Sequence, residues 1–200
     1  MDAKKKTLNA SERNEEARLI WREEVSLLTG ASFVFLDESG SHLSYTPLMG
    51  WAPQGERCYG CVPRNRGPNT TLLAGISHQG VQAAMTIEGP ADALVFEAFV
   101  EHILVPSLTP KQIVVLDNLS IHKGQRVRDL IENAGCQLLF LPPYSPDFSP
   151  IELMWSKLKM YLRRVGARTR DALDQAISEA FQLITSQDAV AWFKHCGYRS

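Results

Sequence analysis

Two short apolar runs that each end in an aspartate constrain the fold of this chain more than any other feature. Phe33–Leu36 precedes Asp37, and Ile113–Leu116 precedes Asp117. Uniformly apolar runs of this length are typical of strands buried on both faces of a sheet, which helices must then cover. We therefore expect an α/β chain in which Asp37 and Asp117 each lie at the end of a buried strand.

Periodicity, cap residues and turn signals predict the other elements. The segment 42–47 also has strand character. The predicted elements are helix 11–28, strand 31–38, hairpin strands 70–77 and 81–88, a helix that opens at 89–92 and runs to 105, strand 112–116, helix 123–134, strand 137–141, and helices 150–165, 171–184 and 187–195. This order predicts a mixed five-stranded sheet with helices on both faces.

Composition excludes several classes of protein. The formal net charge of the 200 residues is −1, which argues against a generally basic nucleic-acid-binding protein. The apolar runs are far shorter than the roughly 20 residues that a membrane-spanning helix needs, and no secretory signal follows Met1. Cys58 and Cys61 form a Cys-x-x-Cys motif without a second pair, so we predict neither zinc nor a disulfide framework. We expect a cytoplasmic protein without a membrane partner.

Three carboxylates are candidates for a metal site. Asp37 and Asp117 follow buried strands, and Glu152 opens the predicted helix 150–165. Converging carboxylates need a counter-charge, and Mg²⁺ or Mn²⁺ prefers oxygen ligands. Two such ions would suit phosphodiester cleavage. The structural alternatives are that the aspartates are turn residues and that Ser149 and Glu152 form a capping box.

The same helix begins a strongly basic segment. Residues 153–170 contain six Lys or Arg residues and no acid. At 100° per residue, Glu152, Ser156, Lys159 and Arg163 form one stripe. Basic residues beyond a metal-binding acid would suit a DNA backbone, and the alternative is a solvated helix face. The candidate DNA-binding residues are Lys157, Lys159, Arg163 and Arg164.

Four motifs together resemble the catalytic domain of a DDE transposase, most closely the bacterial insertion-sequence branch of the mariner superfamily. They are LDESG at 36–40, GWAPQGER at 50–57, VLDNLSIHK at 115–123 and LPPYSPDFSPIE at 141–152. Thirty-four residues separate the second and third acids, as is usual in this branch. The resemblance implies an RNase H-like fold.

The resemblance also implies roles for individual residues. Asp37, Asp117 and Glu152 match the three catalytic, metal-binding acids, which would hold Mg²⁺ or Mn²⁺ as two ions. Asn118 and His122 match a polar pair next to the second acid. The expected organisation is an N-terminal tail and helix at 1–30, followed by the RNase H-like DDE catalytic domain at 31–200.

The expected function is metal-dependent DNA cleavage and strand transfer at transposon ends. The partners would be transposon-end and target DNA and, in the active form, a second copy of the chain, all within the bacterial nucleoid. Relatives carry an N-terminal helix-turn-helix, so we expect an upstream segment to supply it or the chain to be a truncated copy. The alternatives are a stand-alone RNase H-like nuclease and a non-catalytic product that binds DNA or inhibits full-length transposase.

Overall fold

The computed structural model describes residues 10–28, 32–119 and 124–198. Within them, five strands form one sheet in the order β3-β2-β1-β4-β5. β1 pairs antiparallel with β2 and parallel with β4, so the sheet is mixed, as predicted. β2 and β3 form the predicted hairpin, and β5 is parallel to β4. The strands are β1 (Phe33–Ser41), β2 (Thr70–Ser77), β3 (Gly80–Glu88), β4 (Ile113–Leu116) and β5 (Gln137–Phe140).

Helices pack on both faces of this sheet, as predicted. They are α1 (Glu15–Leu27), α2 (Ala93–Phe99), α3 (Gln125–Asn133), α4 (Pro150–Val165), α5 (Arg170–Gln182) and α6 (Ser186–His195). A π-helical turn (Val100–Leu104) and a 3₁₀ turn (Val105–Ser107) continue α2. One core contains residues of α1, α4, α5 and α6, and the other contains residues of α2 and α3.

Alternation along the strands assigns side chains to these two cores. Phe33 and Phe35 lie in the core of α4, whereas Val34 and Leu36 lie in the core of α2 and α3. Successive side chains of a strand point to opposite faces, so this alternation also sets the direction of every later residue of β1.

Two predicted boundaries and one predicted strand were wrong. β1 ends at Ser41 rather than at residue 38, because Ser39, Gly40 and Ser41 continue the ladder with β2. The segment 42–47 is not a strand, since the His42 carbonyl accepts a hydrogen bond from the Tyr45 N–H and closes a turn. α1 begins at Glu15, where the Asn14 side chain caps it, and Ser11 does not.

The first helix packs onto the first core. Trp21 is 5% exposed within that core, and its indole N–H donates a hydrogen bond to the Tyr198 hydroxyl over 3.3 Å. The predicted domain boundary at residue 30 lies outside the described residues and stays a prediction. No helix in the described part of the chain is both long and apolar enough to cross a membrane.

Candidate active site

The parallel pairing of β1 with β4 places two of the predicted acids side by side. Phe35 pairs with Val115, and Asp37 and Asp117 each lie two residues further along their strands. They therefore lie beside each other at the same edge of the sheet, and the charge of Asp117 acts on the Asp37 carboxylate. Both have the same orientation as Phe35 and Val115, whose side chains lie in the core of α4.

The sequence predicted that Asp37 ends its strand, but in the structure Asp37 lies within β1. β4 ends at Leu116, whereas β1 continues along β2 beyond that point. The C-terminal half of β1 therefore has β2 on one side and the open end of β4 on the other. This open edge leaves room for Asp37, Asp117 and the segment that precedes α4.

The third acid, Glu152, lies in the first turn of α4. Its helix packs through Ile151, Met154 and Trp155 against the face toward which the two aspartates point. The alternative capping box does not form, because the Ser149 side chain makes no cap hydrogen bond. The Glu152 carboxylate therefore does not act as a partner in a capping box.

All three acids line one cavity of about 460 Å³. Asn118 lines it too, and the proline-rich segment 142–146 forms another wall. His122 lies outside the described residues, so its predicted place beside Asp117 stays a prediction. The Asp117 Oδ1 atom accepts a hydrogen bond from the Leu119 N–H over 3.1 Å, which orients this carboxylate at the end of β4.

Electrostatics distinguish Asp37 from an ordinary surface aspartate. Burial raises the pKa of Asp37 to about 7, and the charges of Glu152 and Asp117 add to this rise. Hydrogen bonds from the Glu38 backbone and from the Trp155 indole N–H oppose it. The indole nitrogen lies 3.0 Å from Oδ2 of Asp37. The three carboxylates therefore interact, and Asp37 bears the largest cost of ionisation.

The pKa of Glu152 is also raised, and burial is again the main cause. Burial raises its pKa above the ordinary value, Lys159 opposes the rise, and Asp117 adds to it. Lys159 lies two turns further along α4, so the coupling indicates that its ammonium is near the cavity. This agrees with the stripe predicted from helical periodicity.

The donor set fits a hard divalent cation. Within the described residues, no three acidic, His or Cys side chains form a group that could hold a metal ion. Mg²⁺ does not require such a cage, since it commonly binds one or two carboxylates and completes its shell with water and phosphate oxygens. Burial is the main cause of the raised pKa of Asp37, repulsion from Glu152 and Asp117 adds to it, and a cation in the cavity would favour the ionised carboxylate against both.

The four predicted DNA-binding residues occupy different faces of α4. Lys157 and Arg164 line a groove beside Tyr161 and Leu183, and the Lys157 ammonium contacts Asp188 Oδ2 at 2.6 Å. By helical geometry, Lys159 and Arg163 follow Glu152 instead. The Arg163 guanidinium lies 5.3 Å from the centre of the Tyr45 ring.

Sequence reasoning missed two contributors to this site. Trp155 was not among the predicted site residues, although a buried indole N–H needs an acceptor. Arg18, which is fully buried, binds both carboxylate oxygens of Asp147 and thereby anchors the proline-rich segment to α1. For the contact of Arg18 with Asp147, the sequence offered one signal, which is a charged residue in the middle of an amphipathic helix.

Comparison with known proteins agrees with this arrangement. A family model described as DDE superfamily endonuclease matches residues 32–174. The Tcb1 transposase of Caenorhabditis briggsae is 29% identical over 169 residues, which cover 78% of this chain and 62% of that protein. The chain therefore spans about three fifths of that relative's length.

Two solved structures establish the fold. The Mos1 mariner paired-end complex with Mn has a TM-score of 0.79 at 19% identity and covers 98% of this chain and 63% of that one. The catalytic domain of Mos1 mariner transposase has a TM-score of 0.70 at 15% identity, covering 96% and 91%. These matches confirm the expected RNase H-like fold. The family is shown by the model that matches residues 32–174, and the chain therefore belongs to the DDE superfamily endonuclease family.

Proposed function

We propose that this chain is the catalytic domain of a transposase, which cleaves DNA phosphodiester bonds at transposon ends and joins the freed 3′ end to target DNA. The observation that carries the proposal is that Asp37, Asp117 and Glu152 line one cavity, where the two aspartates each lie two residues beyond the paired Phe35 and Val115. Membership of the endonuclease family and similarity to the Tcb1 transposase support the same function.

In this proposal, Asp37, Asp117 and Glu152 are the catalytic residues and would hold Mg²⁺ or Mn²⁺, as two ions. When bound, such ions activate water and stabilise charge on the leaving 3′ oxygen. The Mos1 paired-end complex contains Mn, which supports the choice of metal. Trp155 orients the Asp37 carboxylate, and the Leu119 N–H orients that of Asp117.

Asn118 and His122 are proposed to shape the site beside Asp117, as the family resemblance implies. Lys159 and Arg163 are proposed to bind DNA phosphates on the cavity side of α4. Lys157 and Arg164 line the groove beside Tyr161, and their contacts with DNA stay predictions. The Lys157 ammonium already contacts Asp188. Phosphate contacts of this kind position DNA without reading its sequence.

The decisive experiment compares Asp117→Asn with Asp129→Asn, an exposed acid on α3 that does not line the cavity. We expect Asp117→Asn to weaken Mn²⁺ binding more than tenfold by calorimetry and to reduce nicking of supercoiled DNA about 100-fold. Asp129→Asn should change neither quantity.

Product analysis separates the alternatives. Joined strands support a transposase, and cleavage without joining supports a stand-alone nuclease. If the parent binds DNA but cleaves nothing under conditions in which it binds Mn²⁺, the non-catalytic alternative replaces the proposal.

The finer assignment rests on the resemblance carried by the four motifs together. We propose a bacterial insertion-sequence origin, action as a homodimer on nucleoid DNA, and recognition of transposon ends by an upstream helix-turn-helix segment. Inverted repeats and an overlapping helix-turn-helix reading frame in the flanking DNA would support this. Light scattering with end DNA measures the oligomer.

A further inference from the structure

A groove between α4 and α5 combines exposed apolar side chains with a basic rim. Its volume is about 340 Å³, and its lining residues are Lys157, Met160, Tyr161, Arg164, Ala180 and Leu183. Met160 is 66% exposed and Leu183 is nearly half exposed, although both are large apolar side chains. Apolar side chains that are gathered in one place and rimmed by polar residues are typical of a surface that binds a protein partner.

The charged groups of this α4–α5 groove leave one cation available to a partner. The Lys157 ammonium contacts Asp188 Oδ2 at 2.6 Å. Glu179, beside the groove, accepts a hydrogen bond from the Tyr161 hydroxyl over 2.7 Å. The Arg164 guanidinium lies 5.1 Å from the centre of the Tyr161 ring and forms no salt bridge with an acid in the described ranges. A partner that places a carboxylate beside Arg164 would therefore complement the groove.

The outer face of α1 has the opposite charge and a similar apolar character. Positions 16, 20, 23 and 27 are neighbours at helical spacing, so one stripe contains Glu16, Ile20, Glu23 and Leu27. Both glutamates are exposed, Ile20 is half exposed, and Leu27 is 81% exposed. Trp21, on the other side of the helix, is buried in the core. The stripe therefore presents acids and uncovered apolar side chains to solvent.

The stripe of α1 and the α4–α5 groove lie on the same side of the sheet. Residues of α1, α4 and α5 share one core, whereas α2 and α3 cover the opposite face. Two copies that meet through this side can each place α1 in the groove of the other. Reciprocal contacts of this kind form a closed dimer with twofold symmetry, whereas a single contact would leave one stripe and one groove uncovered.

We propose that the stripe of α1 docks into the α4–α5 groove of a second copy of this chain, and reciprocally, so that its glutamates meet Arg164 and its apolar residues cover Met160; this rests on the homodimer in the proposed function. Charge complementarity selects α1 as the occupant, because opposite charges across an interface disfavour wrong partners and fix the register. A helix that lays its apolar face into a hydrophobic groove is a common mode of recognition.

The test reverses the charge of each surface separately in the full chain. Arg164→Glu reverses the groove, and Glu16→Lys/Glu23→Lys reverses the stripe. The dimer dissociation constant is measured by sedimentation equilibrium in low salt without DNA, for each variant alone and for the two variants mixed. Met160→Ser tests the apolar contact, and its matched control is Leu94→Ser, an exposed leucine of α2 on the opposite face of the sheet.

We expect each charge-reversed variant alone to dimerise at least about tenfold more weakly than the parent, because like charges then face each other at both contacts. The mixture should regain the dissociation constant of the parent within about threefold, since the reversed stripe fits the reversed groove and the second contact stays native. Met160→Ser should weaken the dimer at least about tenfold, and Leu94→Ser less than about twofold. Arg164→Gln repeats the test if the reversed groove prevents folding.

The proposal is overturned if the parent stays monomeric without DNA, if mixing the two reversed variants restores no dimer, or if Leu94→Ser weakens the dimer as much as Met160→Ser does. A monomeric parent whose DNA affinity falls in Arg164→Glu would assign the groove to DNA instead.

None of these measurements involves cleavage, so the two proposals fail separately. A parent that cleaves and joins DNA without this dimer would keep the proposed reaction and contradict the interface. A dimer that mixing restores, in a protein that never cuts DNA, would contradict the proposed reaction and leave the interface intact.

Discussion

The indole N–H of Trp155 donates a hydrogen bond to Oδ2 of Asp37 over 3.0 Å, joining residues 118 positions apart in the chain. Trp155 is 2% exposed and belongs to the core, so its N–H is fixed in position. The bond favours the ionised form of Asp37 and partly offsets the effect of burial on its pKa. α4 thus contributes to the site twice, through Glu152 and through this contact.

Replacing Trp155 with Phe removes the donor and keeps most of the packing. We expect Mg²⁺ affinity at pH 7 to fall about tenfold, since a hydrogen bond to a charged group contributes about 1.5–3 kcal/mol. At pH 9, where Asp37 is ionised in both proteins, the difference should be smaller. Calorimetry at the two pH values checks this. An equal loss of affinity at both would assign Trp155 a packing role only.

The raised pKa of Asp37 predicts a pH dependence of stability. Folded Asp37 binds its proton more tightly than the unfolded chain, with a pKa of about 7 against 3.8. The metal-free protein therefore loses stability as pH rises from about 4 to about 7. Asp37→Asn should melt a few degrees above the parent at pH 8 and match it near pH 3.

Mg²⁺ provides the control for this comparison. It should raise the melting temperature of the parent at pH 8 and have little effect on Asp37→Asn, because a ligand that binds only the folded state stabilises it. A parent that melts below Asp37→Asn at pH 3 as well would rule out ionisation of Asp37 as the cause.

Glu152→Gln separates catalysis from stability. Because Ser149 makes no cap hydrogen bond, the variant should melt within a few degrees of the parent, or slightly higher if less repulsion remains. Nicking of supercoiled DNA in Mn²⁺ should fall at least about 100-fold, since an amide is a poor ligand for a hard cation. A stable Glu152→Gln protein that still cuts DNA would contradict the three-acid site.

Lys159 and Arg163 should contribute to DNA binding without regard to sequence. The double variant Lys159→Ala/Arg163→Ala is expected to reduce the slope of log K against log salt by about two, one for each phosphate that the protein no longer neutralises. Arg164→Ala, on the groove face, measures separately whether that face binds DNA. An unchanged slope in the double variant would leave α4 with an ordinary solvated surface.

The Arg18–Asp147 pair should be important for stability. Arg18→Ala removes a fully buried guanidinium that also lies 3.9 Å from the centre of the Phe148 ring. We expect a loss of about 3 kcal/mol in the free energy of unfolding, measured by denaturant titration. The exposed Arg22, which stacks on the same ring from 4.9 Å, is the matched control, and Arg22→Ala should cost less than about 1 kcal/mol.

The stabilisation that Arg18 and Asp147 provide depends on pH, because Asp147 must be ionised. Burial acts to raise the pKa of Asp147, but the hydrogen bonds and charge of Arg18, with Arg13, outweigh it, so the pKa is lowered. The pair therefore stabilises the fold above pH 4, and this contribution is lost as pH falls through the folded pKa. The difference between the parent and Arg18→Ala in the free energy of unfolding should therefore shrink as pH falls below the ordinary carboxyl pKa of 3.8.

Local patterns along the chain were sufficient to predict most of the elements and to identify the acids. Periodicity placed α4 at 150–165, where the structure has it, and turn chemistry predicted the hairpin of β2 and β3. The capping box of Thr185 and Asp188 is another local feature, formed by two residues three positions apart. These features depend on neighbours within a few residues, so the local pattern contains the information.

The way in which these elements meet could not be predicted from such patterns. The extension of β1 to Ser41, the matching positions of Asp37 and Asp117, and the bond from Trp155 all depend on pairing between segments that are distant in the chain. A strand cannot indicate from its own residues which neighbour continues its ladder, and an indole on an apolar stripe does not indicate its acceptor. The site is defined by register and packing, because these bring Asp37 next to Asp117, 80 positions along the chain, and next to Trp155, 118 positions along it.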